Sequence, residues 1–392
     1  MRLNDNLFLM LSGFLLNLPS LFLVYSFDFS GLSIFYIISL SLVLVSAFLN
    51  KRWLITRLEA LIFLIFIALY SLSVFSGPIH DFVFYKFTFF LIKCVSLFVL
   101  GALVAQNYGN PSFERFLKGY FISLGLVCFN YYAYAIFNFL NNPILSVNNR
   151  LEIGEANPIW ISREVLEFLI IYFFIYKRNL LFSITSSFLT FVVVVVSGSK
   201  GPILSFLVTV FISLKFRAKI LFIFLSFLTA GFTYFIAWNY LPDNFSDFIV
   251  QRFFRVVPEG ASQHFVDESR NVVWAKTILA SFSDFKIFFL GEGVGQSFKL
   301  LGYSEVRYYP HNLILEILYE NGFLVLASFV VLLLKAFSVK SKISLLLIFH
   351  FLNSLFSGDI LMNEKLFLFL GMSIFISSRI TSYEQQSKKS NA

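Results

Sequence analysis

The sequence predicts an all-α integral membrane protein, with about twelve transmembrane helices and a large helical loop on one side. Composition is the first observation behind that reading. Apolar residues make up 58% of the 392 and charged residues only 13%, where a soluble domain carries about 25% charge. Phenylalanine is the second: 55 of them present more aromatic surface than a soluble fold of this length buries without leaving large apolar patches. The third is the punctuation, a succession of apolar runs, mostly of span length, separated by short polar stretches, with mean hydropathy at +0.81.

The runs fall at about 7–25, 31–49, 58–76, 82–105, 116–139, 161–176, 179–197, 202–214, 219–239, 311–334, 343–357 and 364–379. Basic residues orient them. Placing the N-terminus in the cytoplasm puts Arg2, Lys51, Arg52, Arg57, Arg115, Lys118, Lys177 and Arg178 on inner flanks, followed by Lys215, Arg217, Lys219, Lys335, Lys340, Lys342, Arg379, Lys388 and Lys389. These are 17 of the 30 basic residues, so most of the +8 net charge reads as a topology signal and not as affinity for nucleic acid. Even parity and cytoplasmic termini follow. The organisation is then 1–139 with helices one to five, an outer loop at 140–160, helices six to nine over 161–239, a large outer loop at 240–310, helices ten to twelve over 311–380, and a disordered cytoplasmic tail at 381–392. Long extracytoplasmic loops in a tight bundle are where function concentrates.

Several chemistries are excluded. Cys94 and Cys128 both lie in apolar runs, which leaves no disulfide framework. His80, His264, His311 and His350 do not pair at metal-ligand spacing, so no metal or other cofactor is expected. Gly291-Glu292-Gly293-Val294-Gly295-Gln296 lacks the third glycine of a dinucleotide fingerprint, and Ser197-Gly198-Ser199-Lys200-Gly201-Pro202 lacks the spacing of a phosphate loop. Both read as turns at the outer membrane surface.

Three elements still carry chemistry. Lys200 sits between two apolar runs, where an ammonium either snorkels or meets an anion. Arg270, at the start of an amphipathic stretch with Trp274, either faces solvent or grips a phosphate with two hydrogen bonds. Tyr309-Pro310-His311-Asn312 opens the tenth run, with proline suited to a helix's first turn. His311 at that positive helix end would stay neutral, the form a general base needs. Glu316 and Glu320 share a helical face with Asn312 and should look into a cavity or the loop. Lys86 and Lys93 are rare charges inside another run.

In this order the elements resemble the O-antigen ligase and O-antigen polymerase superfamily (the Wzy/WaaL group). The resemblance rests on Ser197-Gly198-Ser199-Lys200-Gly201, Ser269-Arg270 with Trp274, Gly291 to Gly295, and His311-Asn312 through Glu320-Asn321-Gly322, with an upstream Arg150 and Asn157-Pro158. It covers about residues 150–335. Lys200 stands where the family usually has arginine, which keeps the charge and loses the bidentate fork.

The resemblance implies metal-independent glycan transfer from an undecaprenyl-diphosphate carrier to an acceptor hydroxyl, at the periplasmic face of a bacterial inner membrane. Lys200 and Arg270 would stabilise the pyrophosphate leaving group, with Arg150 or Arg163 as auxiliaries, and His311 would be the base. Glu316 or Glu320 would orient the imidazole or bind sugar hydroxyls, beside Asn312 and Trp274. Partners would be the lipid-linked donor and acceptor, the bilayer and a chain-length-determining co-polymerase. Polymerase is the expected activity, since the Phe, Ile, Leu and Asn bias resembles low-GC surface-polysaccharide clusters. A ligase acting on lipid A core stays open, as does a lipid-linked oligosaccharide flippase from another functional class.

Overall fold

The computed structural model describes residues 2–25, 33–49, 57–107, 109, 111–141, 151, 153, 156–176, 179–215, 218–219, 270–301, 309–338 and 341–376. The Arg150 element, His264, the ninth apolar run, most of both long loops' remaining residues and the C-terminal tail lie outside them. Among the described residues there are helices and an isolated bridge between Ile153 and Ala156, and no strand, so the all-α class stands. Among the described residues, five helical stretches are long and apolar enough to cross a membrane: Asn6–Val24, Asp81–Ala105, Pro111–Phe137, Leu180–Ser197 and Leu313–Phe337. Ile34–Phe48, Leu58–Ser73, Lys200–Ser213 and Lys342–Ser354 are shorter apolar helices. The sixth apolar run lies in a helix with buried Arg163, Glu164 and Glu167.

The chain divides into two compact units, one of residues 1–16, 33–120 and 262–392, the other of 17–32 and 121–261. The first contains α1 (Arg2–Leu15), α3 (Ile34–Leu49), α4 (Arg57–Ser73), α5 (Asp81–Phe89), a π segment (Phe90–Val95), α6 (Ser96–Ala105) and the start of α7 (Pro111–Asn141). It continues with α11 (Arg270–Ser281), α12 (Phe285–Leu290), a 3-10 turn (Gln296–Leu301), α13 (Leu313–Glu316), a π turn (Ile317–Asn321), α14 (Gly322–Phe337), α15 (Lys342–Ser354) and a last helix, α16, over 364–376. Its core is phenyl on phenyl. Phe66 lies within 6.5 Å, ring centre to ring centre, of Tyr70, Phe90, Phe329 and Phe367, tilted against Tyr70 and Phe329, edge-on to Phe90 and stacked on Phe367.

Where lipid supplies no hydrophobic contrast, helices associate through close packing and interhelical hydrogen bonds. Both devices occur here. Gly101 of α6 meets the backbone of α16 at Leu368, and Gly371 of α16 meets α6 at Phe98, so closely that a Cβ at either would overlap a carbonyl. Ser12 and Ser39 join α1 to α3, hydroxyl to hydroxyl at 2.7 Å, each also within reach of the other's carbonyl at 3.0 and 2.9 Å. Helices α4 and α14 are tied at both ends, by Glu59 with Lys335 at 2.8 Å and by Asn321 Nδ2 donating to Ser73 Oγ at 2.6 Å.

The last long span is broken. Its π turn ends at Gly322, whose φ of 81° and ψ of 174° fall in a region essentially reserved for glycine. A π turn and a restart leave carbonyls without intrahelical donors, and in a span these must be satisfied by protein. The glycine turn after α12 does this: Glu292 N–H donates to Tyr319 O at 2.8 Å and Gly293 N–H to Glu320 O at 2.9 Å. Gly291 lies so close to the Glu320 carbonyl, and Gly322 to the Phe289 carbonyl, that neither has room for a side chain. The glycine-rich stretch that hinted at a dinucleotide fingerprint is therefore a backbone patch on a broken helix.

The second unit holds α2 (Leu18–Val24), most of α7, α8 (Pro158–Phe174), α9 (Leu180–Ser197) and α10 (Lys200–Ser213). Asn157 caps α8 by accepting from Ile159 N–H at 2.9 Å, with Pro158 at the first helical position.

Gly322→Ala is expected to lower stability more than Gly109→Ala. Both glycines have φ of 81°, but open space surrounds Gly109 while a Cβ at Gly322 strikes the Phe289 carbonyl. The backbone contribution is about 1–3 kcal/mol and the overlap adds to it. Thermal melts of the two variants in the same detergent measure the difference.

Candidate functional site

His311 lies just outside the helix that the sequence places it in. The helix begins at Leu313, because Asn312 is its N-cap: the side-chain oxygen accepts from Ile314 N–H at 3.1 Å and Leu315 N–H at 3.2 Å. Asparagine is among the best residues for this position. Pro310 thus belongs to the approach and not to the first turn. His311 itself has φ of 55°, the only positive value for a non-glycine among the described residues. Left-handed backbone in a non-glycine residue is uncommon and concentrates at functional sites.

The turn that carries His311 is held from α11. Trp274 Nε1 donates to the Pro310 carbonyl at 2.9 Å, and the Tyr309 ring stands edge-on to the imidazole at 4.5 Å. Burial pushes the His311 imidazole down to about 4, and the positive charge of Arg270 pushes the same way. The ring is therefore neutral near pH 7, as the sequence suggested. The cause is chiefly burial, not the helix end. Its Nδ1 is buried and makes no hydrogen bond among the described residues. Arg270 opens α11, so its guanidinium and the imidazole are brought into one neighbourhood by the Trp274 contact.

Glu316 and Glu320 look elsewhere. Both are fully buried around Lys86 of α5, whose Nζ is 2.5 Å from Glu316 Oε1 and 2.7 Å from Glu320 Oε2. Glu320 also accepts from Gly295 N–H at 2.7 Å and from Ser297 Oγ at 2.6 Å, and Glu316 Oε1 is 3.3 Å from Ile360 N–H. The expected polar face exists and meets the large loop through Glu320, but its main partner is a lysine from another span. Neither carboxylate orients His311 through Nδ1.

In the second unit, α9 ends at Gly198 in the left-handed conformation, φ 60°, and α10 starts at Lys200. Ser197 is pinned to α8 by Ser162, hydroxyl to hydroxyl at 2.5 Å. Lys200, of intermediate burial, thus occupies the first position of a helix, whose first-turn N–H groups favour an anion. Arg163 follows Ser162 and is buried. Next to it Glu164 accepts from Tyr131 Oη at 2.8 Å and from the Ser20 hydroxyl.

The structure thus gathers Arg270, Trp274 and His311, places Glu316 and Glu320 around Lys86, and sets Lys200 on a helix start in the other unit. Lys86 was legible as an odd charge in an apolar run, but not as the partner of two carboxylates. Glu164 gave no pattern beyond its charge.

Residues 185–330 match the family model described as O-antigen ligase. That stretch contains Lys200, Arg270, Trp274, the glycine turn, His311 and Glu320, and it shows over those residues the similarity to the O-antigen polymerase and ligase superfamily that the motifs suggested. Arg150 and Arg163 precede it. Comparison with curated proteins gives no match.

Lys86→Met is expected to destabilise the protein by about 3–5 kcal/mol, because it strands two buried carboxylates. Adding Glu316→Gln and Glu320→Gln to it should recover part of the loss, read as the thermal midpoint of the triple variant against the single one. His311 adds a pH dependence of known sign. Its folded value of about 4 lies below the ~6.5 of a free imidazole. Its contribution is complete above pH 6.5 and falls as pH drops toward 4, by about 1.4 kcal/mol per pH unit across which only the unfolded chain is protonated. Melts at pH 7.5 and 5 should show a smaller loss in His311→Gln than in the parent.

Proposed function

We propose that the protein transfers a glycan from an undecaprenyl-diphosphate carrier to a sugar hydroxyl, and that it acts as a polymerase of lipid-linked surface-polysaccharide repeat units at the periplasmic face of the inner membrane. The observation that carries this reading is a neutral, half-buried His311 on a left-handed backbone beside the Arg270 cation. A neutral imidazole is what a general base must be, and a fixed cation is what a departing pyrophosphate requires.

In this reading the acceptor hydroxyl oxygen attacks the anomeric carbon while its proton passes to His311. The bond from that carbon to the pyrophosphate oxygen breaks, and undecaprenyl diphosphate leaves with both electrons. Arg270 and Lys200 stabilise the charge that grows on the leaving group, with Arg150 and Arg163 as auxiliary cations. Trp274 and Asn312 act as positioning residues, fixing the turn on which His311 sits. Glu316 and Glu320 act through Lys86 on the shape of the span below it. A chain-length-determining co-polymerase is the partner this reading implies.

A second reading is favoured by the description of the matching family: a ligase that uses the same donor and transfers the glycan to lipid A core. The acceptor separates the two. Full-length protein supplied with undecaprenyl-diphosphate-linked repeat units alone should produce a ladder of longer lipid-linked glycans on a gel. Product only after addition of lipid A core would make it the ligase. His311→Ala should reduce transfer by about 10²–10⁴-fold at unchanged protein level, with Arg270→Ala and Lys200→Ala also strongly impaired. Undiminished product from His311→Ala would remove the base assignment. A flippase would translocate its lipid-linked substrate with His311→Ala in place and form no new glycosidic bond.

A further inference from the structure

The large loop carries an apolar surface that the transfer chemistry does not use. Helices α11 and α12 form a hairpin, and Leu279, Phe282 and Phe285 stand out from it with 73%, 62% and 79% of their surface exposed. A contiguous patch of this kind marks a contact surface. It is not isolated. Phe282 packs on Phe288 at 5.0 Å and Phe285 on Phe289 at 4.5 Å. Phe288 in turn stacks on Phe323 of α14 at 5.2 Å. Phe323 and Leu324 begin the exposed apolar side of that span, which continues through Val331 and Leu334. The patch on the loop and the lipid-facing side of a membrane helix are one continuous surface.

Depth follows from the helix itself. Lys335 marks the polar end of α14, paired with Glu59. Phe323 is twelve residues away, about 18 Å at 1.5 Å per residue. A hydrocarbon core is about 30 Å thick, so Phe323 and the hairpin packed on it lie at the level of acyl chains, not above the headgroups. Several backbone donors of the hairpin are satisfied within it, as lipid requires of backbone groups. Phe282 N–H donates to Ile278 O at 3.2 Å, Ser283 N–H to Ala280 O at 3.3 Å, and Phe288 N–H to Asp284 O at 2.9 Å. Lys286 N–H donates to the Asp284 carboxylate at 2.6 Å. Lys276 and Lys286 of the hairpin are exposed, and a lysine of this kind can lay its stem along apolar surface while its charge stays in a polar layer.

We propose that the hairpin of α11 and α12 is inserted in the membrane, with Leu279, Phe282 and Phe285 among the acyl chains of the leaflet on the side of the large loop. The occupant of the patch is lipid, and the loop is anchored in the bilayer at one end while its other end supplies Arg270 and Trp274.

The test uses full-length protein in nanodiscs of phosphatidylethanolamine and phosphatidylglycerol, with a nitroxide on Phe285→Cys or, in a second variant, Phe282→Cys. Both native cysteines are buried, so the label goes to the new thiol. Accelerated relaxation by oxygen and by a water-soluble nickel chelate is compared with labels at Phe323, as the lipid reference, and at exposed Asn271, as the water reference. The oxygen-to-nickel ratio at both phenylalanine positions should match Phe323 and exceed Asn271 several-fold. A ratio equal to that at Asn271 would overturn the insertion. So would dipolar broadening between labels on two copies, which would make the patch a contact between chains.

Discussion

One ammonium ion held between two carboxylates governs the first unit. Lys86, Glu316 and Glu320 are all withdrawn from solvent, and charges so placed are costly unless paired and hydrogen-bonded. One lysine does not balance two carboxylates. Gly295 N–H and the Ser297 hydroxyl serve Glu320 and Ile360 N–H serves Glu316 Oε1, while Glu316 Oε2 is buried with no hydrogen-bond partner among the described residues. Those donors belong to the glycine turn and to the connection before α16. A single polar knot thereby fixes α5, the broken span, the large loop and the last helix against one another. None can shift without uncovering a charge.

The knot also explains the unusual course of the last long span. A regular helix would need no donors from outside, yet the π turn releases the Tyr319 and Glu320 carbonyls to the glycine turn. The same residue, Glu320, is then held twice, by its side chain and by its backbone. Rigidity at this point passes upward to Asn312 and the left-handed His311, one or two turns away. From the other side Trp274 fixes the same approach through Pro310. The backbone that carries the imidazole is thus held on both sides, at Pro310 and at Asn312, although His311 lies outside any helix.

Much of this was legible in the residues and some of it could not be. Span-length apolar runs announce themselves, whereas Asn157-Pro158 stood out only as part of the resemblance and its role as the cap of α8 came from the structure. The prominence of His311 could be read from its position after a proline, where an apolar run opens. The helix start was set two residues too early because proline in a first turn and proline in an approach look alike; only the bonds from Ile314 and Leu315 to Asn312 decide it. Neutrality of the imidazole was expected from the helix end, whereas burial supplies most of it, and burial depends on packing that no local pattern encodes. The partner of Glu316 was hidden for a simpler reason. Lys86 is 230 residues distant, and neither a periodicity nor a motif connects them.

That separation has a consequence for how the chain is made. Synthesis runs from the N-terminus, so the Asp81–Ala105 span reaches the membrane long before Glu316 and Glu320 exist. A lysine opposes insertion, by about 2.5–3.5 kcal/mol at a helix centre and by less toward its end, where Lys86 lies, and at that moment neither carboxylate is there to pair with it. The phenylalanines, leucines and valines around Lys86 must carry the segment into the bilayer unaided. The aromatic excess of this span therefore serves an intermediate as well as the finished bundle, by letting a charge wait in lipid for its partners.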